Sequence, residues 1–178
     1  FGARAAALTA GDPRGEVVLG ALCPPGAAER MEALIADARA LGGQVLAGGT
    51  RQGAIFAATV IDHVTPEMRI WSEESFGPVK AIIRARDEDE AIRLANDSAY
   101  GLSAAIFSRD IARAMQLAGR IESGICHING PTVADEPQAP FGGVKASGFG
   151  RFGGQAGIRE FTEQRWITIE DPAQPYPF

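Results

Sequence analysis

Two adjacent carboxylates and an aromatic ring form the stretch of this sequence best suited to chemistry. Glu73, Glu74 and Phe76 stand just before a Gly-Pro pair, and a largely apolar run, 79–83, follows it. Because proline fixes φ and has no N–H, that pair should stop regular structure. We therefore expect the three side chains on a connecting segment at the edge of a sheet, where loops can reach a ligand. A solvated acidic turn stays open as the alternative, since a lone acidic pair is a weak signal.

A glycine-rich tract is the second candidate. Residues 148–153 (GFGRFG) match the pattern G-x-G-x-x-G of dinucleotide-binding turns. That turn needs a strand directly before it and a helix directly after it, so that backbone N–H groups face a pyrophosphate. Here residues 140–143 (PFGG) precede it instead of a strand. A tightly packed structural loop is the favoured interpretation, and an independent nucleotide-binding domain remains an alternative.

The two cysteines offer little nucleophilic or metal chemistry. Cys126 has His127 as its neighbour, but adjacent side chains of a strand point to opposite faces. We therefore predict that Cys126 is a small buried hydrophobe and that Cys23, which has no histidine nearby, is inert. The pair gives neither a disulfide framework nor metal-ligand spacing, so no metal site is predicted.

Length and charge limit the functions that the chain can have. Its 178 residues suffice for a domain with a sizeable core, and a net charge of −5 provides no basic field for nucleic acid or an anionic membrane. No apolar run approaches the roughly 20 residues of a membrane span. A reducing, cytoplasmic setting is expected. No signal peptide is recognisable. Because the chain begins with Phe1 rather than Met, we expect a fragment or a processed piece of a longer protein.

Alternating strands and helices must position these candidates. Strands are expected at residues 80–85, 103–107 and 125–129. Asp87 is predicted to cap the first intervening helix, with Glu90 three residues on in a capping box. Ser108 is predicted to cap the second helix, which should end at Gly124. This order implies parallel strands with right-handed crossovers, and so an α/β three-layer sandwich with a mostly parallel sheet.

Flanking segments complete the predicted organisation. An earlier helix should start at prolines 24–25, stop at glycines 42–43 and bury apolar residues at helical spacing. These residues are Met31, Leu34, Ile35, Ala38 and Leu41. Strands are expected at 44–47 and 55–60, and a short helix at 156–163. The loop 130–140 is too long and proline-rich for a mere connector, which suggests a function.

Taken in order, the motifs resemble the C-terminal part of the NAD(P)-dependent aldehyde dehydrogenase superfamily. The matching segments are 73–78 (EESFGP), 91–92 with 95–96 (AI, AN), 100–104 (YGLSA), 124–129 (GICHIN), 140–151 (PFGGVKASGFGR) and 161–163 (FTE). Ordered motifs at the family's spacing run from about residue 11 to residue 169, nearly the whole chain. Residues 129–138 look most like the aromatic-aldehyde branch, which contains the salicylaldehyde and vanillin dehydrogenases.

The resemblance implies roles for particular side chains. Glu74 would accept hydrogen bonds from the hydroxyls of the nicotinamide ribose of NAD or NADP, and Phe76 would pack near the nicotinamide. Glu73 keeps a structural interpretation. Phe141 would form an aromatic wall of the aldehyde tunnel, and the loop that contains Val133 would tune the choice of substrate.

The resemblance also implies partners and domains. Residues 166–170, which begin at Trp166, would form a strand that pairs with a neighbouring subunit of a homo-oligomer. Residues 1–160 would belong to the catalytic domain, and residues 161–178 would form the oligomerisation strand and tail.

One departure from the family limits the expected activity. The family's cysteine nucleophile sits in a Gly-Gln-x-Cys segment and its glutamate base in a Glu-Leu-Gly-Gly segment, and neither segment occurs here. No catalytic residue is therefore expected in this chain. We predict part of an oxidoreductase that converts an aldehyde, aromatic in type, to a carboxylic acid with NAD(P)+, and that is inactive as this piece alone. A non-catalytic binding or assembly module that retains the fold is the alternative.

Overall fold

The computed structural model describes residues 1–24 and 26–175. The chain divides into two compact units, which are Phe1–Ala91 (unit 1) and Ile92–Phe178 (unit 2). Two sequence predictions, Pro25 at a helix start and the last three residues of the tail, lie outside the described residues. The predicted domain boundary after residue 160 stays a prediction.

Unit 1 is built on a mixed three-stranded sheet. Its elements are α1 (Gly2–Ala6), α2 (Ala27–Ala40), β1 (Gln44–Ala47), β2 (Arg51–Gln52), β3 (Ile55–Phe56), β4 (Thr59–Asp62), α3 (Arg69–Ser72) and β5 (Val79–Ala81). The central strand, β4, pairs antiparallel with β1 and parallel with β5. Strands β2 and β3 form a separate antiparallel pair.

The core of unit 1 confirms the predicted face of the first long helix. In α2, Met31, Leu34, Ile35 and Ala38 are buried and pack in one cluster with Ile61 and other apolar side chains. Leu41 was predicted to join them, but it follows the helix as its C-cap and is 49% exposed. The helix ends at Ala40, one residue short of the last apolar residue at helical spacing.

The prediction of a single strand at residues 55–60 is wrong, because the two ends of this segment pair with different strands. Residues 55–56 pair back on 51–52 as a hairpin, whereas β4 begins at Thr59 and joins the larger sheet. The hydroxyl of Thr59 donates to Ala57 O at 2.8 Å and accepts from Gly49 N at 2.8 Å. These bonds hold the chain where it passes from the hairpin to the sheet.

Unit 2 contains a β-α-β crossover. Helix α4 (Glu88–Asn96) spans the division between the units, and the elements that follow are β6 (Tyr100–Gly101), β7 (Ser103–Ile106), α5 (Ile111–Ala118), β8 (Ile125–Ile128), β9 (Val144–Lys145) and α6 (Gly154–Glu160). Strands β7 and β8 are parallel, with Ser103 opposite Ile125, and β6 pairs antiparallel with β9. The predicted α/β class is confirmed, with both parallel and antiparallel strand pairs.

The helix caps confirm one sequence prediction and correct another. The N–H of Glu90 donates to Asp87 Oδ1 at 2.8 Å, as predicted for α4. Ser108, however, does not cap α5. The N-cap is Asp110, whose Oδ1 accepts from Arg113 N at 2.9 Å. Both are good N-cap residues, but a carboxylate also favours the positive end of the helix dipole.

The predicted end of α5 at Gly124 is also wrong, because the helix stops at Ala118 with Gly119 as its C-cap. The turn that follows is held by the side chain of Asn96. Its Oδ1 accepts from Glu122 N at 2.9 Å, and its Nδ2 donates to Arg120 O at 2.8 Å.

The last part of the described chain contains little regular structure. Helix α6 begins two residues earlier than predicted and ends at Glu160. Residues 166–170 pair with no other strand among the described residues, so the strand that would join a neighbouring subunit stays a prediction. None of the helices within residues 1–24 and 26–175 combines the length and the hydrophobicity that a bilayer crossing needs.

Candidate functional site

The acidic stretch singled out from the sequence is a loop between α3 and β5 in unit 1. Glu74 and Phe76 are both exposed on it, and Phe76 retains 70% of its accessible surface. Phe76 has φ +47°, a left-handed conformation that is uncommon for a bulky residue. The prediction of a connecting segment at a sheet edge is confirmed, because β5 begins only three residues further on, at Val79.

The two neighbouring carboxylates of this loop have different environments. Glu73 accepts from Arg69 Nε at 2.7 Å and from a terminal guanidinium nitrogen of Arg69 at 3.0 Å. The hydrogen bond from Arg69 holds the pKa of Glu73 below its ordinary value. Within the described part of the chain, the carboxylate of Glu74 has no hydrogen bond or ion pair. Glu73 is therefore a structural residue, and Glu74 is free to accept from a ligand.

Helix α2 holds the loop from the other side. The guanidinium of Arg30 donates to Glu74 O at 2.8 Å and to Ser75 O at 2.7 Å. Its central carbon lies 5.6 Å from the centroid of the Phe76 ring, in the range of a cation–π contact. Arg30 is not recognisable from the sequence, because an isolated arginine on a helix resembles any solvated residue and its hydrogen bond to Glu74 O spans 44 positions.

A cavity of about 400 Å³ lies in unit 2, beside strand β8. It is lined by Gly124, Ile125, Cys126, His127, Ala134, Asp135, Glu136, Ala139, Pro140 and Phe141. Phe141 is fixed at its rim by two backbone hydrogen bonds with Phe152, of 2.9 and 2.7 Å. Val133, which the resemblance places in the substrate pocket, is 88% exposed and is not among the lining residues. The cavity thus gathers Phe141 and the loop after β8, but not Val133.

Cys126 lines this cavity, but its thiol is not activated as a nucleophile. Partial burial raises the pKa of its thiol, so the thiol stays protonated near neutral pH. The Nε2 atom of His127 is buried and has no hydrogen-bond partner among the described residues. The two side chains lie on opposite faces of β8, as the alternation of a strand requires.

The glycine-rich tract has the geometry of a structural loop. Strand β9 ends at Lys145, so no strand directly precedes residues 148–153, and the helix that follows has only seven residues. At Gly153, φ is +81°, and a Cβ would lie 2.3 Å from Ala139 O. These glycines are needed for backbone conformation and close packing, which agrees with the interpretation favoured from the sequence.

The predicted site residues therefore fall into two groups. Glu74 and Phe76 share one loop of unit 1, whereas Val133 and Phe141 belong to unit 2. Among the described residues, no cluster of three or more His, Cys, Asp or Glu side chains could hold a metal ion.

Comparison with known proteins gives matches along nearly the whole chain. The family model described as "Aldehyde dehydrogenase family" matches residues 1–167. A vanillin dehydrogenase of Pseudomonas sp. (strain HR199 / DSM 7063) is 53% identical over 98% of this chain and 36% of its own length. The benzaldehyde dehydrogenase [NAD(+)] of Pseudomonas putida is 46% identical over 98% of this chain and 36% of its own length.

A solved structure gives the same picture. The crystal structure of a salicylaldehyde dehydrogenase from Pseudomonas putida G7, complexed with salicylaldehyde, superimposes with a TM-score of 0.90 at 49% identity. The match covers 100% of this chain and 37% of that chain. The chain thus spans little more than a third of the length of these relatives.

Proposed function

The chain belongs to the aldehyde dehydrogenase family, and from that premise we propose that it is part of an enzyme that oxidises an aromatic aldehyde to a carboxylic acid with NAD(P)+. The observation that carries the proposal is the free, exposed carboxylate of Glu74 beside the exposed ring of Phe76. Relatives named for vanillin and benzaldehyde, and a structural neighbour that holds salicylaldehyde, support an aromatic substrate.

The residues present fit a nicotinamide cofactor. A carboxylate is an acceptor-only group with two oxygens, so Glu74 is matched to the two hydroxyls of a ribose. The ring of Phe76 offers a flat apolar contact to the nicotinamide. When bound, NAD(P)+ supplies the hydride acceptor, and the task of these two side chains is to orient it.

The cavity in unit 2 suits the other reactant. Its volume of about 400 Å³ is within the range of roughly 300–1,000 Å³ that is usual for small-molecule pockets. Phe141 would present an aromatic wall to an aromatic aldehyde. The loop 130–139, which carries the exposed Val133, would tune substrate choice.

The nucleophile and the base would come from the rest of the protein. The family's Gly-Gln-x-Cys and Glu-Leu-Gly-Gly segments do not occur in this sequence, and burial keeps Cys126 protonated. We propose that this piece contributes cofactor and substrate contacts and is inactive by itself.

Residues 166–170 would provide an oligomer contact in a cytoplasmic enzyme. Trp166, Ile167 and Ile169 are all exposed on a segment that pairs with no other described strand. An unpaired apolar segment of this kind is suited to adding a strand to a neighbouring subunit.

Substitution of Glu74 tests the proposed function. In the full-length protein, Glu74→Gln should lower kcat/KM for NAD(P)+ by about 10-fold or more, because a hydrogen bond to a charged group contributes roughly 1.5–3 kcal/mol. Steady-state NADH formation with vanillin, salicylaldehyde and benzaldehyde gives the measurement. KM for the aldehyde should change little.

Glu73→Gln is the matched control, because it removes the neighbouring carboxylate and breaks only the ion pair with Arg69. Equal kinetics for Glu74→Gln and wild type would contradict the role of Glu74. A full-length protein that oxidises none of the three aldehydes would overturn the proposed function and favour a non-catalytic module.

A further inference from the structure

Arg30 makes three contacts with one short loop, although it lies 44 positions earlier in the sequence. Its guanidinium donates to two consecutive carbonyls, Glu74 O at 2.8 Å and Ser75 O at 2.7 Å. The same group lies 5.6 Å from the ring centroid of Phe76. The carbonyls of Glu74 and Ser75 and the ring of Phe76 are thus held by one side chain of α2.

We propose that Arg30 is a positioning residue for the cofactor, and that it acts by fixing the conformation of residues 74–76. The inference rests on the proposed function, because it assigns Arg30 a task only if Glu74 and Phe76 contact NAD(P)+. Arg30 itself needs no contact with the cofactor.

The conformation of Phe76 explains why the loop needs the contacts with Arg30. A bulky residue at φ +47° is strained and persists only where its surroundings determine it. A charged donor strengthens the two hydrogen bonds from Arg30, and the planar fork of the guanidinium matches two neighbouring carbonyls. Without Arg30, Phe76 would relax toward an ordinary φ, which would turn its ring and the adjacent Glu74 away from the bound-state geometry.

Gly77, the residue after Phe76, packs closely against α2. At Gly77, a Cβ would lie 2.9 Å from the sulfur of Met31, which follows Arg30 on α2. The loop therefore sits directly on the helix surface. Arg30 and Met31 together make the first turns of α2 a platform for the cofactor loop.

Kinetics of the full-length protein test the inference. Arg30→Met removes both hydrogen bonds and the cation–π contact while keeping most of the side-chain volume. This variant should raise KM for NAD(P)+ by about 10-fold, because charge-assisted hydrogen bonds are lost. KM for the aldehyde should stay within about twofold of wild type, a change too small to signal a lost hydrogen bond. Arg30→Lys keeps the positive charge but lacks the planar guanidinium. Its KM for NAD(P)+ should therefore lie between those of wild type and Arg30→Met.

Arg51→Met is the matched control. Arg51 also binds α2, with its Nε donating to Glu32 at 2.9 Å, but makes no contact with residues 73–78 among the described residues. A general loss of helix stability would affect both variants, so the melting temperature should fall similarly in each. Only Arg30→Met should change KM for NAD(P)+.

A double substitution shows whether Arg30 acts through the loop. If it does, Arg30→Met should have a much smaller effect on KM for NAD(P)+ in a Glu74→Gln background than in wild type, because coupled residues are not additive. Fully additive effects, or an unchanged KM in Arg30→Met, would overturn the inference. If Arg30→Met does not fold, the same comparison with Arg30→Lys decides it. An active wild type with an unaffected Arg30 variant refutes this inference alone, whereas an inactive wild type refutes the proposed function.

Discussion

Neighbouring residues of the same type can have different environments, and Glu73 and Glu74 illustrate this. The sequence predicts an exposed acidic pair before a Gly-Pro break, and the family motif implies which member contacts the cofactor. The structure gives a physical reason for the difference, because Arg69 pairs with Glu73 at 2.7 Å. Arg30 was not predictable, since its partners are backbone carbonyls, which leave no pattern in the sequence.

Asp62 provides a pH-dependent prediction at the level of single residues. This carboxylate is 5% exposed, and it accepts from Arg84 Nε at 3.0 Å and from His63 N at 2.8 Å. The hydrogen bond from Arg84, opposed by desolvation, lowers the pKa of Asp62 to about 2. The unfolded value is about 3.9, so the pair stabilises the fold above about pH 4 and loses this effect as the pH falls to about 2.

Asp62→Asn should therefore lower Tm by several degrees at pH 7, and the gap from wild type should close between about pH 4 and pH 2. Thermal unfolding followed by circular dichroism at a series of pH values gives the measurement. Asp12→Asn is the control, because Asp12 pairs with Arg14 at an exposed position and should change Tm little. A gap that does not depend on pH would refute the assigned role of the Asp62 carboxylate.

The ends of the helices and strands show which boundaries can be predicted from local sequence patterns and which cannot. The apolar spacing of α2 and the Asp87 cap of α4 were predictable, because each depends on residues within one or two turns. The start of α5 was mispredicted because Ser108 and Asp110 both qualify as caps. The division of residues 55–60 between two pairings depends on partners elsewhere in the chain, which a local pattern does not reveal.

The glycines that flank strand β8 should differ in how well they tolerate a side chain. A Cβ at Gly124 would lie 1.8 Å from Gly142 O and 2.9 Å from Gly143 Cα, so the backbone next to Phe141 would have to move. Gly124→Ala should therefore reduce the free energy of unfolding by about 3 kcal/mol, the upper end of overpacking costs. Urea unfolding of the full-length protein measures it.

Gly130, at the other end of β8, is the matched control. A Cβ there would meet its nearest atom, the Cβ of His127, at an ordinary 3.6 Å. Gly130→Ala should change the free energy of unfolding by no more than about 0.5 kcal/mol. Equal stability of the two variants would show that β8 is not confined by residues 142–143.

For the whole molecule, sequence periodicity predicts the α/β class and the parallel β7–β8 crossover, and both are confirmed. It does not predict the division into two units near residue 91, because α4 runs through that point without a break in its pattern. Nor does it predict which residues line the cavity. Phe141 is positioned by backbone bonds with Phe152, and Val133 remains exposed.

The exposed apolar surface of the chain leads to the last prediction. Large apolar side chains are exposed in both units, among them Phe76, Phe107, Met115, Phe161 and Trp166. Residues 161–169 concentrate several of them in one segment, where Phe161, Trp166, Ile167 and Ile169 are all exposed, and concentrated apolar surface marks a site of association. Residues 1–178 produced alone should therefore self-associate and enhance the fluorescence of a hydrophobic dye several-fold more than the full-length protein at equal molarity. The same sample should form no NADH with vanillin, because the sequence contains no Gly-Gln-x-Cys nucleophile segment. A monodisperse monomer without dye binding would show that this surface needs no partner, and aldehyde oxidation by the isolated piece would refute the proposal that its nucleophile lies elsewhere in the protein.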